Sequence, residues 1–343
     1  VTTDRRLDRR DFLRSLAALS AAVTLPPHLP LFAGETPRSD ALGELLPQRR
    51  LGRASESVTA FCLGGAHIEA TMGRADAQRV IERSIELGCR FFDTAEAYGR
   101  GESERRFGEF LIPKYRKHVF VMTKTQARTA EAAERSLKES LERLGTDHLD
   151  LWQMHEIGSP EDVDARIRDG VLDVFLEAKK AGKSRYIGFT GHARPAAHLR
   201  MLERLKERGV ELDTCQMPMN VVDPHYESFV LNVLPELVSR GYGVLAMKTL
   251  AFGQLLGKPT SWRADRKGGA AKVIGDRISI AEALGFVWSL PVCTVVSGVT
   301  NLDELEQNAR ICRDHPTLGA KEREALIAKV ADFAGPAMEF YKA

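Results

Sequence analysis

From Leu51 onward the chain alternates short apolar runs with amphipathic segments, and this alternation limits the folds open to it more than any other feature. The runs start at Thr59 ("TAFCLGG"), Cys89 ("CRFFDTA"), His118 ("HVFVMTK"), Leu149 ("LDLWQMH"), Ser184 ("SRYIGFTG"), Leu212 ("LDTCQMPMN"), Gly243 ("GVLAMKT") and Val292 ("VCTVVSG"). They are short and rich in Val, Ile, Phe and Leu, as strands buried on both faces should be. Helical patterns lie between them. "TAEAAERSLKESLERLG" places Ala133, Leu137, Leu141 and Leu144 on one face and stops at Gly145. Ser279 with Glu282, and Asn301 with Glu304, have capping spacing before later helices.

Eight strands, each followed by a helix, predict a (β/α)8 barrel as a single domain. An open doubly wound sheet is the alternative, but its glycine-rich phosphate loop is missing after the first strand, which ends "LGGAHIEATMG". The 343 residues are 43% hydrophobic and 28% charged, with net charge +2, which fits one such domain and offers no basic stripe for nucleic acid. The five cysteines have neither disulfide-framework nor metal-ligand spacing. The stretch from Leu250 to Arg277 breaks the pitch and is expected to form a lid or clamp.

The first residues are set apart from this pattern. Arg9-Arg10, followed by Phe12-Leu13 and the apolar stretch "SLAALSAAVTLPPHLPLFAG", resembles a twin-arginine (Tat) export signal. Residues 1–34 are therefore expected as signal peptide, 35–48 as linker and 49–343 as the barrel. This predicts a periplasmic protein handed to the Tat machinery, or a cytoplasmic one where the signal does not function. The apolar run is too short and proline-broken for stable membrane insertion.

Barrel enzymes carry their chemistry at the C-terminal ends of the strands. The second run ends at Asp93 with Tyr98 in the following loop, the third at Lys124 and the fourth at His155. Neighbouring strands lie ~4.8 Å apart, so these four side chains can converge. A phenol is a weak acid, with a pKa of about 10, which a nearby ammonium lowers. Lys124 can supply the ammonium and Asp93 can hold it. Tyr98 would then protonate an alkoxide while neutral His155 orients the carbonyl. This set suits carbonyl reduction, with the hydride coming from a cofactor.

From "RRLGRASESVTAFCLGG" to "VVSGVTNLDELEQNAR" the sequence resembles the aldo/keto reductases, most distinctively in "DTAEAYGRGESE". The resemblance implies that Asp93, Tyr98, Lys124 and His155 are a catalytic tetrad, that Tyr98 is the acid, and that NADPH or NADH lies across the barrel mouth. It places Gln216 and Thr190 near the nicotinamide carboxamide, with Gly191 where an asparagine is usual and His192 as its substitute. Met247 stands where an aromatic ring often stacks. Lys248, Thr249 and Leu250 open the pyrophosphate loop. Gly298, Thr300, Asn301, Glu304 and Asn308 belong to the adenosine end. Thr300 replaces a common Arg or Lys, so Lys267, Lys272 or Arg277 would have to supply a cation for NADPH.

The last helical pattern runs nearly to Ala343, which implies no long C-terminal tail and an open, permissive site. Two other functions share parts of this pattern. One is a nucleotide-sensing or scaffold protein on the same fold, distinguished by negligible turnover. The other is a metal-dependent hydrolase using His155, His192 and His225, which lack accompanying carboxylates at strand ends.

Overall fold

The computed structural model describes residues 38–69, 72–257, 274–315 and 317–342. The export segment, Lys267, Lys272 and most of the long insertion lie outside the described residues. Two short hairpins come first: β1 (Ser39–Asp40) with β2 (Gly43–Glu44), then β3 (Gln48–Arg50) with β4 (Ser57–Thr59). Eight parallel strands follow: β5 (Phe61–Gly64), β6 (Phe91–Asp93), β7 (Phe120–Thr125), β8 (Leu149–Met154), β9 (Ser184–Thr190), β10 (Thr214–Pro218), β11 (Gly243–Met247) and β12 (Thr294–Gly298). They coincide with the eight apolar runs, and β12 pairs with β5 to close the barrel, which rules out the open sheet.

Strand side chains alternate between two faces. One set, Cys62, Phe91, Phe120, Met122, Leu151 and Leu245, packs together inside the barrel. The other, including Leu63, Phe92, Val121, Trp152 and Cys215, packs against the helices. The same parity puts Asp93 on the interior side beyond Phe91, Lys124 beyond Met122, and Gln153 and His155 beyond Leu151. The hydrophobic interior thus gives way to polar side chains toward the C-terminal ends of the strands.

The helices start and stop where the sequence marks them. Thr129 caps Ala130–Leu144 by accepting from the Ala132 N–H, and Gly145 ends it with φ +67°. Ser279 and Glu282 form a reciprocal capping box before Ile280–Trp288. Among the described residues no helix is long and apolar enough to cross a membrane.

Three features depart from expectation. The β3–β4 hairpin forms a floor: Leu51 and Val58 join the interior cluster, and the Arg49 guanidinium donates to the carbonyls of Val292 (3.0 Å) and Trp288 (2.7 Å). The expected linker is folded from Ser39 onward, with Leu46 buried and Asp40 paired to Arg90 at 2.7 Å. The last α-helix is Ala320–Lys329, and the chain beyond it returns to the barrel, where Phe340, Tyr341 and Lys342 are buried. The expectation of an untailed chain is therefore corrected.

Candidate active site

Asp93, Lys124 and Tyr98 meet above the interior cluster. The Lys124 ammonium donates to the Asp93 carboxylate, to the Thr94 carbonyl at 2.8 Å and to the Tyr98 hydroxyl at 3.1 Å. It also lies 4.7 Å from the centre of the Tyr98 ring. His155, one residue past β8, stands edge-on to Tyr98 with ring centres 5.8 Å apart. The His155 backbone N–H donates to the Thr125 carbonyl at 2.7 Å, and buried Arg166 donates to the His155 carbonyl at 3.0 Å.

Burial and charge set the protonation of the group. Burial pulls Lys124 down, but Asp93 and Tyr98 outweigh it and leave the ammonium above its usual range. Burial raises Asp93, opposed by Lys124 and by the Gln216 amide. Burial, with Lys124 adding to it, depresses His155 well below its usual value, so the imidazole is neutral. Tyr98 departs from expectation: the loss of water pushes its phenol above the ordinary value, and the pull of Lys124 reduces that rise without reversing it. The lysine therefore restrains a phenol that the site makes less acidic.

The buried side-chain atoms that find no partner in the chain include Gln216 Oε1, His155 Nδ1 and the neighbouring Gln153 Oε1. Buried acceptors and donors are normally satisfied, so those left open beside Asp93 and Tyr98 can take hydrogen bonds from a bound group. Gln216 sits on β10 with its amide toward Asp93, which fits a carboxamide partner of a nicotinamide.

The other positions are distributed around the mouth. Thr190 is buried at the end of β9, and its carbonyl accepts from Ile157 N–H at 3.0 Å. A side chain at Gly191 would meet the Ile157 carbonyl at 2.5 Å, so no asparagine fits there. The ring nitrogens of His192, its expected substitute, face the Tyr341 carbonyl at 3.1 Å and Glu156 at 3.4 Å. Met247 ends β11, and Lys248 follows with φ +56° and its ammonium 4.2 Å from the Phe252 ring centre. Thr249 is buried and Leu250 half-buried in the same loop.

At the end of β12, Gly298 faces the His67 ring closely enough that a Cβ would lie 2.6 Å from it. Glu304 accepts from the Thr300 N–H (2.9 Å) and hydroxyl (3.1 Å), while Asn301 caps the helix through Glu304 N–H. Asn308 turns inward and donates to Ser297 at 3.1 Å. Arg277 is committed to Asp332 at 3.3 Å.

Sequence reasoning missed Glu156, Arg166 and the C-terminal tail. Lys342, with no exposure, lies 2.7 Å from Asp223 and 2.8 Å from Glu339, and Asn220 joins them through Glu339 and Tyr341. A buried arginine inside "EDVDARIRDG" and a charged terminal "EFYK" carry no distinguishing local signal. Among the described residues no group of three His, Cys, Asp or Glu side chains is arranged to hold a metal.

A profile of the aldo/keto reductase family matches residues 60–328. L-galactose dehydrogenase from Arabidopsis thaliana is 27% identical over 318 residues, which is 84% of this chain and 96% of that protein. The uncharacterized oxidoreductase YrpG from Bacillus subtilis is 30% identical over 230 residues, 61% of this chain and 68% of that protein. Aldo-keto reductase AKR11C1 from Bacillus halodurans, in its holo form, superposes with a TM-score of 0.68 at 22% identity, covering 83% of this chain and 96% of its own. At that identity the likeness is one of fold.

Proposed function

The chain belongs to the aldo/keto reductase family and is an NAD(P)H-dependent oxidoreductase; on that premise we propose that it reduces the carbonyl of a small aldehyde, ketone or sugar, with Tyr98 as the proton donor. The observation that carries this reading is the Tyr98 hydroxyl 3.1 Å from an ammonium that is itself paired with a buried carboxylate. The name of the plant relative, L-galactose dehydrogenase, supports including sugars.

When bound, the nicotinamide supplies a hydride to the carbonyl carbon. Gln216 and Thr190 would hold its carboxamide, with Met247 against the ring. Lys248, Thr249 and Leu250 would hold the pyrophosphate, and Gly298, Thr300, Asn301, Glu304 and Asn308 the adenosine end. Tyr98 gives its proton to the carbonyl oxygen, so the carbonyl becomes an alcohol and the phenol a phenolate. Lys124 stabilises that phenolate, which regains a proton from water. Neutral His155 can donate one hydrogen bond to the substrate oxygen and so fix its orientation. The same steps reversed oxidise an alcohol.

The test is oxidation of NADPH and NADH by a panel of small aldehydes, ketones and sugars. Tyr98→Phe should slow reduction by about 10²–10⁴-fold while nucleotide still binds. A near-native rate in that variant would remove Tyr98 as the acid. Tight nucleotide binding with no turnover on any carbonyl would favour a sensor instead. The twin arginine Arg9-Arg10 supports export through the Tat route. Replacing both by lysine should leave the precursor in the cytoplasm, and unchanged export would sink that reading.

A further inference from the structure

Glu156 directly follows His155 and holds φ +54°, a left-handed backbone that a residue with a Cβ adopts at a cost in free energy. The fold maintains it. Arg166, on the helix Pro160–Arg168 and 1% exposed, donates to the carbonyls of both His155 (3.0 Å) and Glu156 (3.3 Å). The carboxylate also has a partner on each side. Gln126 donates to one oxygen at 2.5 Å, from just beyond β7, and the His192 ring stands 3.4 Å from the other, from just beyond β9. His192 is in turn anchored on the Tyr341 carbonyl at 3.1 Å. The result is a polar wall across three neighbouring strand ends, with Glu156 at its centre.

The carboxylate remains 35% exposed, so it faces the mouth and not the core. Its contact with His192, ahead of the other nearby groups, holds it down at about 2, and its charge is felt by both Tyr98 and His155. It is thus an ionised acceptor beside the place where a carbonyl would sit. It is neither a member of the tetrad nor one of the expected cofactor positions, though its charge also acts on Lys248.

We propose that Glu156 is a specificity-determining residue: it accepts a hydrogen bond from a hydroxyl on the carbon next to the substrate carbonyl. This rests on the reading of Tyr98 and His155 as the carbonyl site. An ionised carboxylate accepts hydrogen bonds and donates none. A substrate hydroxyl satisfies it. A bare alkyl group displaces its water and returns nothing. A substrate carboxylate meets like charge. The ammoniums of Lys124 and Lys248 oppose this, but Lys124 is paired with Asp93, and Lys248 lies over the Phe252 ring on the loop after β11. The selected class is therefore 2-hydroxy aldehydes and ketones, over both alkyl and carboxylate-bearing carbonyl compounds.

Glycolaldehyde, acetaldehyde and glyoxylate differ only in the group beside the aldehyde and form the direct test. With the full chain and its preferred nucleotide, kcat/KM should rank glycolaldehyde first by about tenfold or more and glyoxylate last. Glu156→Gln should shrink the glycolaldehyde-to-acetaldehyde ratio by about tenfold and raise glyoxylate relative to both. Glu156→Asp, which withdraws the charge by one methylene, should give intermediate ratios. Ratios within one variant are insensitive to partial loss of folded protein. Acetaldehyde reduced as well as glycolaldehyde, glyoxylate preferred, or ratios unmoved by Glu156→Gln would each overturn the assignment while leaving carbonyl reduction intact. Failure of all three aldehydes, together with the wider carbonyl panel, would remove the reading on which it rests.

Discussion

Lys124 and Asp93 form an ion pair whose side chains are 1% and 2% exposed, at the point where the barrel interior changes from apolar to polar. Removing one member strands the other as an uncompensated buried charge, which costs about 3–5 kcal/mol. Lys124→Met should therefore lower stability by that amount as well as stop reduction. Adding Asp93→Asn to it should restore much of the stability and none of the activity. Denaturant unfolding of the two variants separates the effects, and a double variant no more stable than Lys124→Met would contradict the pairing argument.

Lys248 titrates within a usable range. Burial, helped by the charge of Lys124 and opposed by Glu156 and Asp93, brings its ammonium down to about 8. If this group holds a nucleotide phosphate, it does so only while charged, so affinity should fall as pH rises from 7 to 9. Loss of one charge-assisted contact corresponds to about tenfold. Lys248→Met should bind weakly and evenly across that range. Calorimetric titration at both pH values reads this, and an equal pH response in the variant would exclude Lys248.

Two buried histidines make the fold acid-sensitive. Burial depresses His155 well below its usual value and His198 to about 4. In the unfolded chain both take up a proton near pH 6.5. Between about pH 6.5 and 4 the unfolded state therefore binds more protons, and stability falls as pH is lowered. The expected slope is about 1.4 kcal/mol per pH unit for each residue. Urea unfolding at pH 7 and pH 5 measures it; His198→Leu should flatten the dependence.

The C-terminal tail supplies the third test of buried charge. Lys342 stands between Asp223 and Glu339 with no exposure on any of the three. Lys342→Met leaves two carboxylates facing each other in a dry site and should cost about 3–5 kcal/mol. Because Tyr341 beside it anchors His192, the same variant should raise KM more than it lowers kcat. A loss below about 1 kcal/mol would mean that the tail is only draped over the barrel.

The barrel was legible because each strand carries its own signal. Phe91 and Asp93, Met122 and Lys124, and Leu151 and His155 are separated by even steps, so the strand period alone turns apolar and polar members to the same side. The meeting of Asp93, Lys124 and His155 fits that period and the closeness of adjacent strand ends, and Tyr98 joins them from the loop after β6. The β3–β4 floor was not legible: "QRR" and "SVT" are too short and polar to read as strands, and they hold their place through long-range bonds such as Arg49 to Val292. Nor was Glu156. A left-handed backbone at a glutamate is imposed by Arg166 from a later helix, and no local pattern announces it. The rise of the Tyr98 phenol needed the actual balance of lost water against one ammonium.

The hairpin floor has a consequence for traffic. Leu51 and Val58 pack with Cys62, Phe91, Met122 and Leu151, so the interior is filled from the hairpin end and the polar strand ends at the other are where reactants would be met. Gln216 and Lys124 lie against the apolar filling, while Glu156 and His192 stand at the rim. A nicotinamide seated on Gln216 would then enter from the same side as the carbonyl compound. That shared side is set by apolar residues that would touch neither reactant.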